Sequence, residues 1–153
     1  MVRRSANTAD GGYTAAVTDI EYRDGHDVDI DQLAALIEAV GWAPRDRDVV
    51  AQQVAGARWV VSAWSGHRLV GLARAISDGV TNAYVSTVVV ADGFRRRGIA
   101  TSMVGRLVAG RTGIRWVLHA RPELHEMYAR VGFVPATDIL WIPRAKPPAA
   151  PQK

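Results

Sequence analysis

Residues 81–120 carry the pattern that most limits the fold. A strand-like run "TNAYVSTVVVA" (81–91) leads into the basic loop "DGFRRRG" (92–98), a helical run from Ile99, and a further strand-like run "IRWVLHA" (114–120). In the helical piece Ile99, Met103 and Leu107 recur at helical spacing beside Ala100, Val104 and Val108, which gives a broad apolar face over about ten to twelve residues. Gly110 and Gly113 end it. A strand, a helix and a strand in such close succession return through a right-handed crossover, so the two strands lie side by side and parallel.

The remaining segments add antiparallel strands and helices. "VTDIEYR" (17–23) alternates and reads as a first strand. In "DIDQLAALIEAVGW" (29–42) Leu33, Leu36, Ile37 and Val40 share one helix face, with Gly41 as the stop. "RDRDVVAQQVAGA" (45–57) follows Pro44 as a weaker helix. "RWVVSAWSGHRLVGLARAIS" (58–77) holds two apolar runs about Ser65-Gly66, a hairpin, and Asp78-Gly79 marks the next turn. In "RPELHEMYARVGF" (121–133) Leu124, Met127, Tyr128 and Val131 line one face of a short helix closed by Gly132, and "FVPATDILWIP" (133–143) supplies one or two closing strands. The sum is an α+β fold: a mixed, mostly antiparallel sheet with one parallel strand pair, flanked by about four helices. One domain is expected over 17–143, between a polar segment (1–16) and a Pro-rich tail (144–153) that both lie outside the fold.

Composition removes several function classes. A hydrophobic share of 48% and five tryptophans suit a globular chain. No apolar run nears the roughly 20 residues a membrane-spanning helix needs. No apolar stretch follows Arg3 and Arg4, so a secretory signal is not expected and the cytoplasm is the expected location. The absence of cysteine excludes disulfides, thiolate zinc sites and a Cys nucleophile. His119 and His125 lack a carboxylate at ligand spacing, so no metal is expected. The net charge is +4, and 17 of the 19 basic residues are Arg, with only Lys146 and Lys153 besides, an imbalance typical of GC-rich coding. Apart from one short cluster the basic residues are scattered, unlike the continuous stripe of a nucleic-acid binder, so nucleic acid is not the expected partner.

That cluster is Arg95, Arg96 and Arg97, set just where a helix begins. A helix N-terminus already carries partial positive charge, so added cations there raise the energy unless an anion binds. A strand, a basic loop, Gly98 and then the helix start is the physical recipe for a pyrophosphate site, with backbone N–H groups as donors and arginine as a planar partner. The same residues also suit a solvated basic turn in which Gly98 is only a bend. The loop is neither a P-loop nor a dinucleotide fingerprint, and no Gly-x-Ser-x-Gly occurs.

"RRRGIA" resembles the (Gln/Arg)-x-x-Gly-x-(Gly/Ala) signature of the GCN5-related N-acetyltransferases, with Arg95, Gly98 and Ala100 in its fixed places. "MYARVGF", with Tyr128, Gly132 and Phe133, resembles the Tyr-x-x-x-Gly-Phe element of the same family. The resemblance spans residues 17 to about 142 in the family's order of elements. It implies an acetyl-CoA-dependent enzyme that moves an acetyl group directly to an amine of a small molecule. Backbone N–H groups of Arg96, Arg97, Gly98, Ile99, Ala100 and Thr101 would then meet the pyrophosphate, with Arg95 in the signature and the extra arginines near the 3′-phosphate. A bulge around Val88, Val89 and Val90 would free backbone groups for the pantetheine arm, and Tyr128 would protonate the leaving thiolate. The resemblance also implies a homodimer as an oligomeric state.

Two departures stand out. Thr87 occupies the place where many relatives carry a basic carboxylate; neither it nor Ser86 is a base, and Glu21, Asp78, His119 or a water chain would have to substitute. "ADGF" (91–94) replaces a common Pro and Tyr. The missing carboxylate keeps a non-catalytic acyl-CoA-binding or regulatory domain in view, and charge leaves open a macromolecular amine such as a protein N-terminus or charged tRNA. Trp42 is placed to wall the acceptor pocket.

Overall fold

A computed structural model describes residues 19–145; the N-terminal segment 1–16 and most of the Pro-rich tail lie outside the described residues. The chain divides into two compact units, one ending at His119 and the other beginning at Ala120. The first contains β1 (Ile20–Asp24), α1 (Ile30–Ala39), α2 (Arg47–Ala55), β2 (Trp59–Ser65), β3 (Arg68–Ser77), β4 (Asn82–Val90), α3 (Ile99–Val108) and β5 (Arg115–Leu118). The second contains α4 (His125–Ala129), entered through a single 3-10 turn at Pro122–Leu124.

The five strands pair in the order β1-β2-β3-β4-β5. β1 to β4 form the expected antiparallel meander, and β4 and β5 form the parallel pair that the crossover through α3 demands. Local chemistry explains the elements. Asp29 caps α1, its Oδ1 accepting from the Gln32 N–H at 3.0 Å. Gln32 in turn accepts from the Leu69 N–H at 2.8 Å and donates to the His67 carbonyl at 3.1 Å, which ties α1 to the β2–β3 turn. Gly41 stops α1 in the left-handed region (φ 86°).

Helices cover both faces of the sheet. Gly71 of β3 turns toward α3, where a Cβ would come within 3.0 Å of Met103 Cε. Arg74, three residues further and so on the opposite face, reaches the Gln53 carbonyl of α2. Leu33 and Ile37 of α1, Val50 of α2, Leu72 of β3 and Met103, Val104 and Leu107 of α3 form the core.

Three expectations need correction. No strand forms over 133–143 among the described residues; Val134, Leu140 and Ile142 are 81%, 96% and 95% exposed. Strand propensity alone does not make a strand: a ladder partner is required, and none is present there. The helix read from 121–133 shortens to α4: Pro122–Leu124 form a 3-10 turn ahead of it, Leu124 is exposed and, within α4, only Tyr128 is buried. β5 ends at Leu118, short of the seven residues that its apolar run offered, because the parallel pairing stops there.

Leu72 is fully buried in the central strand. Leu72→Ala is therefore expected to cost about 2–5 kcal/mol, read in urea unfolding as a lower midpoint at unchanged slope. An unshifted midpoint would remove Leu72 from the core.

Candidate functional site

The region where β4 gives way to α3 is built from three local features. After β4 the chain makes one 3-10 turn, Asp92–Phe94, and then the loop Arg95–Gly98. Arg96 (φ 61°) is the one non-glycine residue in the left-handed region among the described residues, and Gly98 follows at φ 76°. An L-residue pays about 1–2 kcal/mol for that conformation, so Arg96 holds strain that Gly98 avoids. Both left-handed residues fall in the short loop that leads into the start of α3. Gly98 is the N-cap of α3 and no side chain caps that helix, so the N–H groups of Ile99, Ala100 and Thr101 lack an intrahelical acceptor.

The three arginines do different things. Arg95 turns back, Nη2 standing 3.0 Å from Asp92 Oδ1. Arg97 lies over the Phe94 ring at 5.1 Å, and Arg68 of β3 lies over the same ring at 5.4 Å. Arg96 is exposed and meets no side-chain partner among the described residues. Two guanidiniums on one ring repel each other, so the cluster favours an anion beside it. Arg68 was not apparent in the sequence, because only the β3–β4 register brings it to the loop. A cleft of about 400 Å³ borders the loop on the α1 side, lined by Leu36, Val40, Arg68, Leu69 and Asp92 among others. None of the site residues expected from the sequence lines it.

The second feature is the flank of β4. β5 accompanies β4 only from Asn82 to Val85; from Ser86 to Val90 that flank has no strand partner among the described residues. Val88, Val89 and Val90 pair regularly on the other side with Ala73, Leu72 and Gly71. The bulge expected within Val88–Val90 falls instead at Ser86, since Thr87 pairs with Arg74 and Val85 with Ala75. The physical reason is Arg74. It is buried, and its Nε donates to Thr87 Oγ1 at 2.9 Å while Nη2 donates to Ser86 Oγ at 3.1 Å. Arg74, a charged residue inside the apolar run "LVGLARAI" of β3, was the sequence signal for this group.

Third come the candidate bases and the acid. Thr87 is buried and already accepts from Arg74. Glu21 is on β1, three strands and so about 14 Å from β4, and is held by Arg23 Nε at 2.7 Å. Asp78 Oδ1 accepts from the N–H groups of Val80, Thr81 and Asn82, and Oδ2 accepts from Thr81 Oγ1 at 2.6 Å. Those bonds, the Thr81 hydroxyl first, hold its carboxyl well below the usual range, so it is a turn residue. His119 is exposed at the end of β5, its ring 5.8 Å from that of Tyr84. In the second unit Tyr128 is buried, meets Phe133 edge-on at 5.9 Å, and has its hydroxyl pKa raised by burial. Trp42 is exposed, with Arg45 over its ring at 5.9 Å. No cluster of His, Asp or Glu able to hold a metal occurs among the described residues.

Comparison with known proteins gives a consistent result. Residues 38–139 match the family described as "Acetyltransferase (GNAT) domain". The chain is 30% identical over 133 residues to the histone acetyltransferase TAP1 of Glycine max, and 33% identical over 119 residues to GCN5-related N-acetyltransferase 1, chloroplastic, of Arabidopsis thaliana. These alignments cover 76% and 72% of this chain but only 57% and 59% of the relatives' lengths. An aminoglycoside N-acetyltransferase solved with CoA shares the fold, with TM-score 0.62 at 14% identity over 82% of this chain and 95% of that one. No helix among the described residues is long and apolar enough to cross a membrane.

Asp78 has a depressed folded-state pKa, so its contribution to stability is present above the unfolded carboxylate value and is lost as pH falls through the acid range. Asp78→Ala is expected to lower the melting temperature at neutral pH and to narrow the gap to the parent as pH drops from about 5 toward 3. A gap that stays constant with pH would sink the assignment.

Proposed function

We propose, from the premise that this chain belongs to the acetyltransferase (GNAT) family, that it transfers the acetyl group of acetyl-CoA directly to the amine of a small molecule. The carrying observation is the uncapped start of α3 behind a loop with two left-handed residues, set at the end of a strand with a free flank. A diphosphate fits that backbone: the N–H groups from Arg96 to Thr101 would hold it, and Arg96 and Arg97 add charge. The free flank beside Val88, Val89 and Val90 suits the amide groups of a pantetheine arm. Acetyl-CoA supplies the activated acyl thioester. The chain contributes orientation of the reactants and management of protons.

Tyr128 is the proposed proton donor to the leaving sulfur. Its place in "MYARVGF" supports this, and burial keeps the phenol protonated at neutral pH. A second reading, an acceptor amine on a protein, is favoured by the name of the soybean relative. Thiol release by the full chain with acetyl-CoA separates the two, measured across small alkyl- and arylalkylamines and across peptides with free N-termini or lysines. Turnover confined to peptides would overturn the small-molecule reading, and heat with CoA but no thiol release would favour a binding domain.

Gly98→Glu places a carboxylate and a left-handed strain at the proposed diphosphate site. It is expected to weaken CoA binding about 100-fold or more in titration calorimetry. Tyr128→Phe is expected to lower kcat by about 100-fold with little change in CoA affinity. Unaltered turnover would return Tyr128 to a packing role.

A further inference from the structure

We propose that the acceptor is an amine that also carries a carboxylate, as an amino acid does, and that Arg45 holds this carboxylate beside Trp42. This rests on the acetyl transfer proposed above and names the acceptor's second group.

Arg45 immediately precedes Asp46, the N-cap of α2, and is tied to the head of the open β4 flank through two residues. Its Nη1 donates to Gln53 Oε1 at 3.1 Å. The Gln53 carbonyl accepts from Arg74 Nη1 at 3.3 Å, and Arg74 Nη2 donates to Ser86 Oγ at 3.1 Å. Ser86 is the first residue of β4 beyond its pairing with β5. Arg74 points away from the face that Gly71 presents to α3, so this chain of contacts runs over the opposite face of the sheet. An amine that comes to the thioester over that face has the α1–α2 connection beside it, with Trp42 and Arg45.

The Arg45 guanidinium is half-buried, whereas most of the described arginines are exposed. Withdrawing a cation from water is costly unless its donors and its charge are met. The other arginines withdrawn from solvent meet theirs within the chain. Arg111 donates to the carbonyls of Arg106, Leu107 and Ala109 at the end of α3, and Arg74 to Thr87, Ser86 and Gln53. Arg45 has five N–H donors and uses one of them, on a neutral amide. Its charge meets the Trp42 ring at 5.9 Å and pairs with no carboxylate among the described residues. Asp46 and Asp48 beside it are exposed, and Asp31 is held by Arg47.

With Nη1 engaged, Nε and Nη2 keep an adjacent pair of donors, the edge of a guanidinium that takes a carboxylate side-on. A simple alkylammonium is repelled by Arg45, while a zwitterion brings the counter-charge that this half-buried cation is missing. The cation also favours the unprotonated form of a nearby amine, which is the form that attacks. The transfer leaves the carboxylate untouched. The nitrogen bonds to the acetyl carbonyl carbon as the C–S bond breaks; of the two protons that the ammonium gives up, one ends on sulfur and one in water.

The test measures thiol release by the full chain with acetyl-CoA and paired acceptors, each an α- or ω-amino acid and its carboxamide. The carboxamide has the less basic amine and the larger free fraction at neutral pH, so a preference for the acid runs against availability. The parent is expected to favour the acid by about 10- to 100-fold in kcat/KM, carried mainly by KM. Arg45→Gln is expected to abolish that preference. Arg45→Lys, which keeps the charge without the planar fork, is expected to retain part of it, and carries the test should Arg45→Gln lose its cooperative melt. Arg47→Gln is expected to retain all of it. A parent that treats acid and carboxamide alike overturns the carboxylate site and leaves acetyl transfer standing, as does a preference that survives Arg45→Gln. Equal losses with acid and carboxamide in Arg45→Gln mark a structural role and overturn the site as well, and so does turnover confined to peptides. A parent that binds CoA in calorimetry but releases thiol with no amine or peptide overturns the transferase function itself, and the acceptor site with it.

Discussion

The parallel pairing of β4 with β5 is the constraint on which the rest of the molecule hangs. A chain that leaves the end of β4 and re-enters beside it in the same direction must cross the sheet, and α3 is that crossing. The loop before α3 is therefore forced to the end of β4, with unpaired N–H groups facing outward. Because β5 is only four residues long, its pairing stops at Val85 while β3 continues beside β4 to Val90. One strand thus ends up with a satisfied flank and an open one.

Charge is arranged around that strand in two regimes. Outside, ion pairs such as Glu21–Arg23 and Asp31–Arg47 are solvated and individually contribute little. Inside, Arg74 is removed from water, a state that costs several kcal/mol unless its donors are met. They are met by Thr87 Oγ1, Ser86 Oγ and the Gln53 carbonyl, so one guanidinium ties β3, the β4 bulge and α2 together. The bulge sits where it does because the hydroxyls of two successive residues, Ser86 and Thr87, both turn toward Arg74.

The candidate site was legible in proportion to how local its parts are. The left-handed Gly98, the helix start at Ile99 and the arginine cluster stand within a few residues of one another and were readable directly. The sequence could not say that Arg95 would turn onto Asp92, or that Arg68 would join Phe94 from 26 positions away. Among the substitute bases it named Glu21, Asp78 and His119 without ranking them. Sheet order and turn hydrogen bonding separate them, and neither is a property of a residue's neighbours in sequence.

Periodicity, caps and turn residues by themselves determined the meander, the crossover and the helices α1 to α3, because those signals act over one or two turns of chain. Register, the place of the Ser86 bulge, the early end of β5 and the missing strand over 133–143 were decided only by tertiary structure. A ladder requires two segments distant in sequence to meet, and the energy of a pairing belongs to both partners. An apolar run such as "ILWI" (139–142) states an appetite for burial; whether anything lies across from it is a property of the folded chain.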